Sequence, residues 1–125
     1  MTSTELAQLA MSAASDKKAE DIVGLDVSQL LVVTEYFVIA TGRTNIQVRA
    51  IADEIEEQLR AIAHERPIGR EGAGEDKWVL LDYGDVVVHV FQPTEREFYR
   101  LEKLWGDAPR LEMPESETPP AAVNQ

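Results

Sequence analysis

The chain has 125 residues, with 12 Lys and Arg against 23 Asp and Glu and no cysteine. That length fits one domain and one hydrophobic core, since a domain of this size buries roughly two-thirds of the surface its unfolded chain exposes. A formal net charge of −11 argues against binding along phosphate backbones, which relies on Lys and Arg displacing counterions, and favours a basic protein partner or simply solubility; the missing cysteine excludes disulfides and thiolate chemistry.

Thr2-Ser3-Thr4-Glu5 has capping-box spacing, and Leu6, Leu9, Ala10 and Ala13 follow at helical intervals, so a first helix is expected to about Ala14. This start has neither the basic residues nor the apolar block of a secretory signal, and no apolar run is long enough to span a membrane, so a cytoplasmic protein is expected. Ile22 to Val27 reads as a short strand, Ser28 to Leu31 as a turn, and the unbroken apolar run Tyr36 to Ala40 as an inner strand buried on both faces. Thr44-Asn45-Ile46-Gln47 opens a long helix to about His64, with Val48, Ile51, Ile55, Leu59 and Ile62 on its inner face and Glu56 spaced to pair with Arg60. Pro67-Ile68 is expected to begin an edge strand, and the glycine-rich stretch 69–76 to form a mobile loop.

Trp78 to Phe91 holds two β-prone runs joined by Gly84-Asp85, a hairpin with a II′-type turn in which Trp78 pairs with Phe91. Side chains alternate with a period of two, so Val79, Leu81, Tyr83, Val86, Val88 and Val90 share a core face. Trp78, Leu80, Asp82, Val87, His89 and Phe91 share the other. Thr94-Glu95-Arg96-Glu97 has the spacing of a third capping box, and Phe98, Leu101, Leu104 and Trp105 stripe a last helix ended by Gly106. From Asp107 onward, four prolines and few large apolar residues predict a disordered acidic tail. The expectation is a single α/β domain over residues 1–106, with one mixed sheet flanked by helices, a closing hairpin, and a tail over 107–125.

Chemistry finds little support in these residues. The two histidines, His64 and His89, lack a neighbouring nucleophile or a second ligand at metal-binding spacing. Gly42-Arg43-Thr44 sits between a strand and a helix where backbone N–H groups could cradle a phosphate. The two acids one residue apart on a strand, which nucleotidyl transfer uses for its metals, do not accompany it: Asp82 and Asp85 straddle a turn. No cofactor, metal or catalytic residue is therefore assigned. Aromatic residues beside acids on the second hairpin face suit a protein contact or a helix-covered core.

Several long blocks together carry a resemblance: Thr34 to Gly42, Trp78 to Phe91 and Arg96 to Trp105, with Asp26-Val27 before them and Gln47-Val48 after the first. Over about residues 4 to 109 the chain resembles the ribosomal silencing factor family, RsfS or Iojap, with Glu35 where the family usually has Asp and Thr44 where Ser is common. The resemblance implies a nucleotidyltransferase-like α/β fold without that activity. It also implies binding to the large ribosomal subunit through its ribosomal protein fourteen, blocking of small-subunit joining, and repression of translation in nutrient limitation. On that footing Trp78, Leu80, His89 and Phe91 are candidate anchors, Asp82 and Asp85 are acids facing basic partner residues, and Tyr83 reaches the contact from the turn. Phe98, Tyr99 and Trp105 are expected to pack the hairpin. A nucleotide-processing enzyme, and an assembly or dimerisation module that is a homodimer when free, remain the alternatives.

Overall fold

Thr2 starts the first helix as its spacing predicts. Its hydroxyl accepts from the Glu5 N–H at 3.1 Å while the Glu5 carboxylate accepts from the Thr2 N–H at 2.9 Å, and the helix α1 runs over Ser3–Asp16. A computed structural model describes residues 1–72, 74–104 and 106–114, with the backbone alone at 102 and 104. After α1 come β1 (Glu20–Asp26), β2 (Tyr36–Thr41), α2 (Asn45–Ala63), β3 (Gly69–Glu71), β4 (Trp78–Asp82), β5 (Val86–Phe91), α3 (Pro93–Tyr99), α4 (Leu101–Leu104) and β6 (Arg110–Leu111).

The strands form one sheet in the order β3-β4-β5-β2-β1-β6. β2 and β5 run parallel at its centre, pairing Tyr36 with Val86 through Thr41 with Phe91. The other neighbours are antiparallel. The hairpin register is the expected one, Trp78 opposite Phe91 and Asp82 opposite Val87. At its tip the Asp85 N–H donates to the Tyr83 carbonyl at 3.1 Å across Gly84, whose φ is +86°, so a three-residue turn tightens the two-residue loop.

α1 and α2 cover one face. Leu6, Ala10 and Met11 of α1 and Ile51, Ile55 and Leu59 of α2 close over Val38, Val79, Leu81, Val88 and Val90. This is the larger core, and it is built from the strand parity read in the hairpin. A smaller core lies on the opposite face, where Leu25, Val27, Ile39, Phe91 and Ala108 are buried against Phe37, Trp78 and Leu101.

Four expectations need correcting. The stretch expected as a mobile loop holds β3, which begins at Gly69 and pairs with β4. Arg60 pairs with Glu57 at 2.7 Å, because Glu56 is taken by Arg70 of β3 at 2.6 Å. The last helix breaks at Arg100, whose φ is +50°, and it starts from Gln92 with Pro93 at its first position, so the Thr94 box is not its cap. The boundary at residue 106 also shifts. Ala108 is buried, the Asp26 N–H donates to the Pro109 carbonyl at 2.8 Å, and β6 pairs with β1; residues 115–125 of the expected tail lie outside the described residues.

Candidate functional site

The second hairpin face is an aromatic cluster with a wet edge. Trp78, at the start of β4, stacks on Phe91 with ring centroids 4.9 Å apart and meets Tyr99 of α3 at 4.5 Å. Its indole Nε1–H donates to His89 Nδ1 at 3.1 Å, and Phe37 of β2 sets its ring edge-on to His89 at 5.2 Å. Aromatic pairs in such offset or edge arrangements contribute about 0.5–1.5 kcal/mol beyond the area they bury.

Burial divides the seven candidate residues. Phe91 is 1% exposed and His89 5%, so both lie beneath the surface as supports. Trp78, Leu80 and Asp82 are half-buried and Asp85 is exposed. Tyr83 is buried on the other face, in the larger core, with its hydroxyl enclosed there; that burial raises its pKa.

Because Nδ1 accepts the indole proton, neutral His89 carries its own proton on Nε2, which is buried without a partner among the described residues. Burial pushes the imidazole pKa down to about 4. An uncharged histidine locked to a tryptophan orients that tryptophan and is poorly placed to shuttle protons. Asp82 is likewise engaged locally, accepting from the Gly84 N–H through Oδ1 at 2.8 Å. The Asp85 carbonyl accepts from the N–H groups of Glu35 and Tyr36, at 2.9 and 3.0 Å. That pins the hairpin tip to the start of β2 while the Asp85 side chain stays in solvent. Among the described residues no group of three or more His, Asp or Glu is placed to hold a metal, and no helix is long and apolar enough to cross a membrane.

Several apolar residues beside this face escaped the strand-parity reading. Tyr99 packs on Trp78 yet is 46% exposed, and Phe98 is 76% exposed rather than packed; Trp105 lies outside the described residues. Leu30, Val32 and Val33 are exposed just before Glu35, and Ile68 is exposed beside Gly84. The four-residue apolar run 30–33, lying outside any strand, was the available signal for part of this surface.

The family model described as ribosomal silencing factor during starvation matches residues 1–125. A protein named ribosomal silencing factor RsfS from Halalkalibacterium halodurans is 47% identical over 116 residues, which cover 90% of this chain and 96% of that protein. A crystal structure of a Chromobacterium violaceum protein superposes with a TM-score of 0.82 at 38% identity, covering 95% of each chain. The mouse protein named mitochondrial assembly of ribosomal large subunit protein 1 is 31% identical over 91 residues, which cover 71% of this chain and 40% of that one.

Proposed function

The chain belongs to the ribosomal silencing factor family, and from that premise we propose that it binds the large ribosomal subunit through ribosomal protein fourteen and sterically blocks the small subunit. In nutrient limitation this lowers translation. It acts in the cytoplasm as a binding protein without catalysis or cofactor.

One observation carries the reading. Trp78 is held at a fixed angle by Phe91, Tyr99 and His89, and it stands half-exposed on the hairpin that also bears Asp82 and Asp85. A rigid aromatic anchor on a hairpin whose tip carries acids combines a residue type that dominates binding energy at protein interfaces with charge that selects a basic partner. Leu80 extends the contact, the exposed Leu30, Val32, Val33 and Ile68 widen its apolar margin, and His89, Phe91 and Tyr83 act from below. A chain of this length has a radius of gyration of about 14 Å, enough to obstruct a subunit contact.

Co-sedimentation with separated subunits tests it. The protein is expected to pellet with large subunits and to reduce their joining to small ones; normal joining at saturating protein rejects the proposal. The name of the mouse relative favours a second reading, assembly of the large subunit, which predicts accumulation of immature large subunits when the protein is absent. The same apolar face also suits pairing of two free copies, so the free protein is expected to dimerise and to dissociate on binding its partner.

A further inference from the structure

The end of the sheet away from the hairpin tip has its own character. β2 and β5 stop together at Thr41 and Phe91, and open α/β sheets take their ligands in the crevice beyond the carboxyl ends of parallel strands. There the surface opens into a cleft of about 910 Å³ lined by Arg43, Arg96, Arg100 and Lys103. Three carboxylates, Glu20, Asp21 and Glu97, share it. Among the described residues that line it, cations outnumber carboxylates, on a molecule of net charge −11.

Its cations are positioned by the fold. Arg96 donates from Nη1 to the buried hydroxyl of Thr41 at 2.8 Å, which ties its head to the end of β2. Arg43 meets Glu20 through Nε at 2.7 Å with 69% of its side chain exposed, and Arg100 meets Glu97 through Nη2 at 2.9 Å. The two ion pairs neutralise two of the carboxylates and use only part of the Arg43 and Arg100 guanidiniums, each of which has five donors. Lys17 and Lys18 stand at the same end: their carbonyls accept from Gln47 Nε2 at 3.3 and 3.2 Å, and Gln47 Oε1 accepts from the Arg43 N–H at 2.7 Å. Half of the chain's 12 Lys and Arg thus gather where the parallel strands end.

We propose that this cleft receives RNA backbone phosphates when the protein docks on the large subunit, an inference that rests on the ribosome-binding reading. A phosphodiester carries one negative charge, whereas a free or terminal phosphate carries nearly two at neutral pH. A cleft whose described cations and carboxylates are so nearly balanced suits the singly charged group. The remaining surface is acidic and repels RNA, so only this end can approach the backbone, and the contact orients the protein as well as holding it. No base is read.

The test compares binding to purified large subunits across a salt series for wild type, for R43Q/K103Q, and for R60Q/R66Q, which removes the same charge elsewhere. Arg43 and Lys103 are exposed, so the fold is expected to survive, and unchanged affinity for isolated ribosomal protein fourteen checks that it has. R43Q/K103Q is expected to flatten the salt dependence by about 0.7–0.9 in log–log slope per lost contact, with affinity down roughly fivefold to tenfold near ~100 mM salt. The control pair is expected to behave as wild type. Equal slopes for the two double variants overturn the inference. Inorganic phosphate or a mononucleotide shifting the amide resonances of residues 20–23, 41–43 and 96–103, with subunit slopes unchanged, also overturns it and assigns the cleft to a free phosphate. Wild type that fails to bind subunits at any salt instead rejects the ribosome-binding reading itself, and this inference with it.

Discussion

Trp78 owes its orientation in part to the buried imidazole that accepts its indole proton, so in the proposed contact one pair of side chains joins stability to recognition. Replacing Trp78 by alanine is expected to weaken large-subunit binding by at least ~1 kcal/mol; unchanged affinity in a folded variant, measured by quantitative co-sedimentation, removes Trp78 from the contact. His89 makes a separate prediction with a definite sign. Its pKa is about 4 in the folded protein and ordinarily about 6.5, so as pH falls the unfolded chain takes up the proton first. The stability this implies is fully present above about pH 6.5, declines between there and about 4, and then levels off. Urea unfolding at about pH 7 and about pH 4.5 is expected to show a loss of about 2 kcal/mol attributable to this group, absent in H89Q, which keeps an acceptor for the indole. Equal acid losses in the two proteins would exclude His89 as the cause.

The elements around the hairpin hold the anchor in place, and a glycine sets how closely they approach. At Gly72, with φ +99°, a Cβ would sit 2.0 Å from the Trp78 carbonyl oxygen. Gly72→Ala is therefore expected to cost at least ~2 kcal/mol in urea unfolding and to weaken subunit binding by displacing β4. Truncation after Asp107 removes the Pro109 carbonyl that accepts from Asp26, the buried Ala108 and the β6 pairing; a loss of about 1–3 kcal/mol is expected, and an unaltered denaturation midpoint contradicts it. These two elements also mark how far the sequence could be read. The hairpin was legible because its register follows from local alternation and one turn, and α1 and α2 because apolar spacing and capping residues coincide. β6 was not legible, since two residues carry no periodicity and exist as a strand only through a partner some 85 positions away. The break at Arg100 lacks the glycine that usually marks a left-handed residue, and Arg70 drew Glu56 away from Arg60 across a sheet that helix spacing cannot reveal. In the candidate site, strand parity divided the two hairpin faces as the structure has them but could not tell Phe91, under α3, from Leu80 at its margin.

For the whole molecule, charge sets how the proposed encounter would proceed and topology sets when the aromatic face exists. Under the proposed function an acidic body of net charge −11 meets a basic protein, so the association rate with isolated ribosomal protein fourteen is expected to fall about tenfold or more between ~50 and ~500 mM salt, with dissociation changing less. A salt-independent association rate, followed by stopped-flow fluorescence, would show that charge does not steer it. The parallel pairing of β2 with β5 has a temporal consequence. These neighbours lie about fifty residues apart in the chain, so β2 has no partner on that side until β5 has been made, and such non-local pairing forms late. Phe91 and Tyr99, on which Trp78 rests, are made later still. A chain under synthesis therefore holds β2 without its parallel neighbour until β5 and α3 have followed, and the aromatic face cannot exist before then.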